Sequence, residues 1–212
     1  ERHQTHHCAP APTVSYTDVN NLTGCNSTGT ITRTWVATDG ANNTSSCVQN
    51  ITVIDQVAPV ITCPSPVAVN TTTGQCSGTA TFAATATDDS GNTPTLSYSP
   101  ASGSTFAFGA TVVTATATDA CNNSSTCSFS VTVSDNENPT ITCPTTVTVN
   151  TSAGQCTASG VTLGTPTTAD NCGVQGTTNN APTTHAQGNT TVTWTVTDVH
   201  GRTATCAQTV TI

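Results

Sequence analysis

In residues 111–118, TVVTATAT, apolar and hydroxyl side chains alternate along the chain, and residues 128–133, SFSVTV, show the same alternation. Valine, alanine or phenylalanine therefore falls on one face of each segment, and threonine or serine falls on the other. This period of two is typical of a half-buried antiparallel β-strand. Clusters of Gly, Asn, Asp and Pro separate such segments at short, regular intervals, which favours a β-sandwich.

The sequence around these strands recurs after 80 residues. Residues 60–64 (VITCP) return as residues 140–144 (TITCP), and residues 74–76 (GQC) return as residues 154–156. The later part of the unit, from a Thr-Asp pair to the last strand, occurs three times, in the ranges 38–53, 118–133 and 197–210. A period near 80 residues favours separate globular domains over a solenoid, whose repeats are far shorter.

The repeats predict an all-β chain of tandem β-sandwiches. Repeat one (residues 1–57) contains only the later strands of a unit, whereas repeat two (residues 58–137) and repeat three (residues 138–212) are complete. A unit of this size buries only about 60–65% of the surface of its unfolded chain, so disulfide bonds are expected to stabilise it.

The composition excludes several classes of protein. Only 7% of the residues are charged, the three cationic residues are all Arg, and the net charge is −8. So few cations cannot neutralise nucleic-acid phosphates or dock on an anionic membrane. No apolar run approaches the ~20 residues of a membrane-spanning helix. We therefore expect neither nucleic-acid binding nor membrane insertion.

Several motifs resemble the hyalin-repeat (HYR) family. These are the Cys-Pro pair that opens each complete unit, the FAFG of residues 106–109, the T-D-x-x-x-N turn and the C-x-F-x-V-x-V last strand. The RTWVATD of residues 33–39 resembles repeats in secreted surface and adhesion proteins of Bacteroidetes. The resemblance implies immunoglobulin-like sandwiches, an extracellular adhesive role and no catalytic residues. The sequence also lacks the G-x-S-x-G, H-E-x-x-H and C-x-x-C motifs of common enzymes.

The eleven cysteines indicate an oxidising compartment and therefore an extracellular or cell-surface location. The family pattern pairs the Cys-Pro cysteine with the last-strand cysteine, which implies Cys63–Cys127 and Cys143–Cys206. Cys47 stands on the last strand of repeat one without such a partner. Either the chain is a fragment of a longer array, or another subunit supplies the missing strands to the exposed sheet edge.

Two sets of pairings remain open for the other six cysteines. If the repeats stack end to end, the bonds connect neighbouring repeats, as Cys25–Cys121 and Cys76–Cys172, and Cys156 faces Cys8 of the next molecule. If pairing is local, the bonds are Cys8–Cys25, Cys156–Cys172 and Cys76–Cys121. The first set predicts covalent links along the array, and the second does not.

Two groups of residues could bind metal ions. Acidic side chains near the repeat borders could coordinate Ca²⁺, and the candidates are Asp119, Asp135, Glu137 and Asp170. His3, His6, His7 and Cys8 have ligand-like spacing, although a solvated N-terminal segment explains them more simply. His185 and His200 stand alone and are expected to be solvated. No cofactor is required by these features.

Glycosylation is the expected modification of this threonine-rich, lysine-free surface. The N-x-S/T sequons lie at Asn21, Asn26, Asn42, Asn43, Asn50, Asn70, Asn122, Asn123, Asn150 and Asn189.

The sequence favours an extracellular structural or adhesive protein that forms an end-to-end filament, by strand complementation, by intersubunit disulfides, or by both. Its main partners are then copies of itself, with glycans or other cell surfaces as further partners. The alternative is a carbohydrate- or ice-binding stalk module of a larger secreted protein. Rows of Thr-x-Thr could organise water, but an 80-residue repeat gives only short, twisted patches of them.

Overall fold

The computed structural model describes residues 11–212, and within them nearly all regular structure is β-strand. The helical content of this range is a single 3-10 turn at Cys25–Ser27. No helix in the described range has the length and apolar character needed to cross a membrane. The strands confirm the all-β class and the tandem immunoglobulin-like sandwiches, with the first one incomplete.

Repeat one contributes one antiparallel sheet. In residues 11–57 its strands are β1 (Thr13–Asn21), β2 (Gly29–Thr38) and β3 (Thr44–Val53), in the order β1-β2-β3. β2 is half-buried along its length, and β1 is exposed along its length. The described part of repeat one contains no second sheet that could pack on this one.

Repeat two has the strands of a complete sandwich. They are β4 (Val60–Thr62), β5 (Val67–Asn70), β6 (Ser77–Thr79), β7 (Thr85–Thr87), β8 (Thr95–Ser99), β9 (Thr105–Ala107), β10 (Gly109–Thr118) and β11 (Ser124–Ser134). The main sheet has the order β5-β11-β10-β8, and two small sheets pair β4 with β7 and β6 with β9.

Repeat three has the same topology. Its strands are β12 (Thr140–Thr142), β13 (Val147–Thr148), β14 (Thr157–Ser159), β15 (Thr167–Ala169), β16 (Val174–Asn179), β17 (Thr184–Ala186), β18 (Asn189–Asp198) and β19 (Thr203–Thr211). The main sheet has the order β13-β19-β18-β16, and the small sheets pair β12 with β15 and β14 with β17. The 80-residue sequence repeat is thus a repeat of strand order.

The chain divides into two compact units that cross the borders of the sequence repeats. The first comprises the residues up to Cys63 with residues 84–98 and 115–127, and the second comprises residues 64–83, 99–114 and 128–212. Repeat two therefore contributes segments to both units.

The core of the second unit follows from the alternation in β18 and β19. Val192, Trp194 and Val210 are buried. The residues before β16, which we call the front half of repeat three, cover them with apolar side chains such as Ile141 and Leu163. The opposite face of these strands carries mainly threonine, which remains accessible to solvent. One face of the hairpin is therefore core and the other is surface.

A Thr-Asp hairpin turn occurs in each repeat, with its aspartates at Asp39, Asp119 and Asp198. In every copy the aspartate Oδ1 accepts hydrogen bonds from the backbone N–H groups two and four residues further on, at 2.7–2.8 Å. A residue within each turn adopts a left-handed backbone, and these are Asn42, Asn122 and Gly201. Asn and Gly tolerate this conformation best, which explains their presence there.

Neighbouring valines in β10 test the assignment of core and surface. Val113 is fully buried and Val112 is 68% exposed. We expect Val113→Ala to lower the free energy of unfolding by about 1–3 kcal/mol, because it removes buried methyl groups and leaves a cavity. Val112→Ala is the matched control and should change it by less than about 0.5 kcal/mol. Guanidinium unfolding measures both, and equal losses would contradict this placement of Val113.

Candidate functional site

One face of the sheet in repeat one is open to solvent. Trp35 lies opposite Cys47 in the strand register, and Arg33 lies opposite Gln49. Trp35 Nε1 donates a hydrogen bond to Gln49 Oε1 at 3.0 Å. Cys47 and Gln49 are exposed, and Cys47 is a free thiol in the described structure. We call this surface the open face and define it by Tyr16, Arg33, Trp35, Cys47 and Gln49.

The equivalent face of repeat three is covered. There Trp194 Nε1 donates to Gln208 Oε1 at 2.9 Å, as in repeat one. Gln208 is only 2% exposed. Its Nε2 donates to the backbone carbonyl oxygens of Thr145 at 2.8 Å and Leu163 at 2.7 Å. The same tryptophan–glutamine pair is therefore buried under the front half of repeat three and exposed in repeat one.

The open face differs from a core face at one central position. Arg33 occupies the place of Val113 and Val192 in the aligned repeats, and both valines are fully buried. Arg33 Nε and Nη2 donate to the two carboxylate oxygens of Asp18 at 2.8 and 2.7 Å, and its guanidinium lies 4.0 Å from the centre of the Tyr16 ring. The hydrogen bonds from Arg33 hold the pKa of Asp18 below its ordinary value. The charge of Arg33 is thus neutralised within the sheet.

The outer edge of β3 also lacks the neighbour present in the other repeats. Val131 of β11 pairs in parallel with Val67, and Val210 of β19 pairs in parallel with Val147. The corresponding residue of β3, Ile51, has no parallel partner strand within residues 11–212. An unpaired strand edge offers free N–H and C=O groups to an added strand.

Two disulfides close the complete repeats. Cys63 is bonded to Cys127 in repeat two, and Cys143 is bonded to Cys206 in repeat three. Each bond links the segment after the first strand of the repeat (β4 or β12) to the strand that comes last in sequence (β11 or β19), as the HYR resemblance implies. Cys47 occupies the corresponding last-strand position in repeat one. Residues 11–57 contain no counterpart of the segment that carries Cys63 or Cys143, so Cys47 is exposed and has no disulfide partner.

Two further disulfides connect neighbouring repeats. Cys25 is bonded to Cys121, and Cys76 is bonded to Cys172, with Cα–Cα distances of 5.3 and 4.6 Å. Each bond lies within one compact unit. The local set of pairings, Cys8–Cys25, Cys156–Cys172 and Cys76–Cys121, does not occur, because one or both cysteines of each pair are bonded elsewhere. Cys156 is free and exposed.

The N-terminal candidates, His3, His6, His7 and Cys8, lie outside the described residues. The contact between Cys156 and Cys8 of a second molecule therefore stays a prediction.

Three of the four predicted calcium ligands fall in two clusters of aspartates. Each cluster places one carboxylate oxygen per residue within 4.8 Å of the others, and the members are Asp55, Asp88 and Asp119 in the first unit and Asp135, Asp170 and Asp198 in the second. Glu137 belongs to neither cluster, and its Oε1 accepts a hydrogen bond from the Gly74 N–H at 2.8 Å. The sequence did not indicate Asp88 or Asp198, although Asp198 is the third copy of the Thr-Asp turn.

Asp135 has a dense set of hydrogen-bond partners. Burial raises the pKa of its carboxyl, but the backbone N–H of Glu137 and the side chains of Asn171, His200 and Thr71 outweigh burial and hold the pKa below its ordinary value. Asp135 is therefore ionised at neutral pH although it is only 7% exposed.

Both isolated histidines differ from the prediction that they are solvated. His185 is 2% exposed, because β17 places it on the core side, where β9 places Phe106. His200 stacks on Phe108 with ring centroids 3.8 Å apart, and its Nδ1 lies 3.0 Å from Asp135 Oδ2. Neither contact follows from local sequence, since the partners come from other strands.

Most of the glycosylation candidates are exposed. Asn26 and Asn123 are half-buried, and their Nδ2 groups donate to carboxylates, from Asn26 to Asp55 and from Asn123 to Asp119 at 2.8 Å. A glycan is attached through Nδ2, so these hydrogen bonds disfavour both sites. The exposed candidates are Asn21, Asn42, Asn43, Asn50, Asn70, Asn122, Asn150 and Asn189.

The model of the HYR domain matches this chain twice, over residues 54–133 and 134–212. Since the two matches cover well over half of the sequence, the chain belongs to the HYR domain family. A comparison with curated proteins finds no match.

Solved structures similar to this chain include several protocadherins. A protocadherin gamma B7 EC3-6 cis-dimer structure is 15% identical, with a TM-score of 0.40, and the match covers 95% of this chain and 66% of that one. Protocadherin gamma C5 EC1-3 is 13% identical, with a TM-score of 0.37 and coverages of 87% and 77%. Mouse clustered PcdhgC3 EC1-3 is also 13% identical, with a TM-score of 0.37 and coverages of 91% and 79%. This chain thus spans slightly less than two thirds of the gamma B7 structure.

The disulfides between repeats are expected to stabilise the fold measurably. The double substitution Cys76→Ser with Cys172→Ser removes one closed loop and should lower the free energy of unfolding by about 2–4 kcal/mol. Cys156→Ser, which removes a free exposed thiol, is the control and should have little effect. Denaturant unfolding gives the values, and a non-reduced peptide map of the wild type should contain the Cys76–Cys172 cystine. A cystine joining Cys76 to Cys121 would contradict the structure.

The hydrogen bonds to Asp39 predict how its contribution to stability changes with pH. The side chain of Asn43 and the backbone N–H groups of Asn43 and Ala41 donate to the carboxylate, which lowers the pKa of Asp39. Its stabilising contribution is therefore present above the unfolded-state pKa of about 4 and is lost as the pH falls through the lower folded-state value. Asn43→Ala should raise the pKa of Asp39 towards its ordinary value in an NMR titration and leave that of Asp18 unchanged. No change at Asp39 would contradict this account.

Proposed function

We propose that this chain is a secreted, extracellular structural and adhesive protein, made of one partial and two complete HYR domains at residues 1–57, 58–137 and 138–212. Its role is mechanical rather than catalytic. The four disulfides support an oxidising, extracellular location, because such bonds are reduced in the cytosol. Its partners are copies of itself and, as an adhesin, glycans or other cell surfaces.

The observation that carries the assembly proposal is the open face. In repeat three, a front half covers the Trp194–Gln208 pair and supplies a cysteine to Cys206. Repeat one presents the same pair, Trp35 with Gln49, and the same cysteine position with nothing over them in residues 11–212. The occupant that fits this surface is the front half of an HYR domain.

The required occupant has a defined chemistry. It supplies two backbone carbonyl oxygens to Gln49 Nε2, as Thr145 and Leu163 do for Gln208. It adds a parallel strand beside Ile51 of β3, as β13 does beside β19. It also brings a cysteine within reach of Cys47. A neighbouring molecule that supplies this segment by domain exchange joins copies into a filament by strand complementation. The Cys47 thiolate then attacks the donor's Cys63–Cys127 or Cys143–Cys206 bond by thiol–disulfide exchange, which forms the new disulfide and releases the donor's last-strand cysteine as a thiol.

A peptide complementation experiment tests the fit. The full chain is incubated with a synthetic peptide of residues 138–165 that carries Cys156→Ser, in a buffer of reduced and oxidised glutathione. The oxidised form accepts the two electrons released when two thiols form a disulfide. We expect a disulfide between peptide Cys143 and chain Cys47, formed in preference to one with Cys156 of the chain, which is also free and exposed. Mass spectrometry of the mixed disulfides measures this preference.

The controls separate recognition from simple thiol reactivity. A scrambled peptide with the same cysteine should react with Cys47 and Cys156 to similar extents. Gln49→Ala should reduce the preference for Cys47, because the donor to the two carbonyl oxygens is lost. Equal reaction of the native and scrambled peptides at Cys47 would refute the complementation proposal.

An experiment on the purified chain without peptide identifies the molecule that supplies the occupant. Fibres or disulfide-linked oligomers of the purified chain, seen by negative-stain microscopy and non-reducing electrophoresis and lost in Cys47→Ser, identify a second copy as the donor. A monomer that still captures the peptide places the donor in another segment of a longer polypeptide and refutes the filament.

A further inference from the structure

Asp198, at the end of β18, has a buried carboxylate with one unsatisfied oxygen. The residue is 0% exposed. Its Oδ1 accepts hydrogen bonds from the N–H groups of His200 at 2.7 Å and Arg202 at 2.8 Å. Its Oδ2 is inaccessible to solvent and has no hydrogen-bond partner among the described residues. A buried polar atom left without a partner costs free energy, and an ionised one costs more.

Asp170, which directly follows β15, repeats this arrangement beside Asp198. Its Oδ2 accepts from the N–H groups of Cys172 at 2.8 Å and Gly173 at 2.9 Å. Its Oδ1 is buried and finds no partner in residues 11–212. Asp135, which follows β11, completes a cluster in which one oxygen of each carboxylate lies within 4.8 Å of the others.

The basic side chains beside the cluster, His200 and Arg202, do not bond these oxygens. His200 Nδ1 contacts Asp135 Oδ2, and Arg202 Nε donates to the backbone carbonyl of Asp135 at 3.2 Å rather than to a carboxylate. The two unsatisfied oxygens belong to Asp170 and Asp198, which neither side chain bonds. Close carboxylates repel each other when ionised, so the cluster requires a positive charge or protons.

We propose that Asp135, Asp170 and Asp198 bind a divalent cation, with Ca²⁺ as the best fit. The donors are carboxylate oxygens, which suit a hard cation. Asn171 offers a further oxygen, since its Nδ2 donates to Asp135 Oδ1 while its Oδ1 is buried with no partner in the described structure. Cys172 is excluded as a ligand because its sulfur forms the disulfide with Cys76. Calcium accepts irregular sets of six to eight oxygens, so water can complete the shell.

The aspartate cluster of the first unit can be compared with that of the second. Its members occupy corresponding places, because Asp55 follows β3, Asp88 follows β7 and Asp119 follows the hairpin strand β10. Both oxygens of Asp119 accept hydrogen bonds, from the N–H groups of Cys121 and Asn123 and from the Asn123 side chain. Asp88 Oδ1, the counterpart of Asp170 Oδ1, is also buried without a partner among the described residues, but the counterpart of the unsatisfied Asp198 oxygen is satisfied. The first cluster thus has one unsatisfied carboxylate oxygen where the second has two, and the proposal is confined to the second cluster.

Calorimetry of the full chain with Ca²⁺ tests the proposal. We expect binding with a dissociation constant on the order of 10⁻⁴–10⁻³ M, the range of extracellular calcium modules. Asp198→Asn keeps the oxygen that caps the turn and removes the unsatisfied one, so it should abolish one equivalent of bound Ca²⁺ or weaken its binding at least tenfold. Asp170→Asn follows the same logic and should have the same effect.

Asp39→Asn is the matched control. It alters the same Thr-Asp turn in repeat one, where the aspartate belongs to no acidic cluster in the described structure. Its calcium binding should equal that of the wild type. Calcium should also raise the Tm of the wild type and of Asp39→Asn, and raise it less in Asp198→Asn.

Two results would overturn the calcium site. One is the absence of calcium heat and of any Tm change in the wild type up to 10 mM Ca²⁺. The other is wild-type stoichiometry and affinity in both Asp198→Asn and Asp170→Asn. The three aspartates belong to the second compact unit and the open face belongs to the first, so these outcomes do not depend on the open face or on assembly.

Discussion

The long β-hairpin that ends each repeat is stable only when its apolar face is covered. In repeat three, β18 and β19 place Val192, Trp194 and Val210 on that face, and the front half of the repeat keeps water from them. The Cys143–Cys206 bond then ties this cover to the hairpin covalently. An alternating strand pair buries its apolar face only against a second layer. Within residues 11–57, repeat one has the hairpin without this second layer, and polar side chains such as Arg33 and Gln49 stand on the uncovered face.

The sequence predicted the features that depend on local pattern. The alternation in residues 111–118 specifies strands, and the 80-residue period specifies tandem sandwiches, because both are properties of consecutive residues. The bonds Cys25–Cys121 and Cys76–Cys172 could be named from the sequence only as one of two sets, since the choice depends on which loops of different repeats meet. Asp198 was missed for the same reason, because its neighbours in the cluster come from other segments.

Arg33 distinguishes repeat one from a merely shortened copy of the others. Valine fills this position in the two complete repeats and is fully buried there. An arginine in a permanently dry core would carry a large desolvation cost. Here its charge is paired with Asp18 and its guanidinium lies on Tyr16, so the face tolerates water. The Trp35–Gln49 pair nevertheless keeps the hydrogen bond of its buried counterpart, Trp194–Gln208.

The disulfides restrain most of the chain against extension. The bonds Cys25–Cys121, Cys76–Cys172 and Cys143–Cys206 overlap in sequence, so every residue between 25 and 206 lies inside at least one closed loop. Tension cannot fully extend any repeat within that range without breaking a covalent bond. β1 lies outside the loops, whereas Cys47 on β3 lies inside the first one. In the proposed filament, a link through Cys47 would therefore transmit load to the crosslinked part of the chain and not to β1.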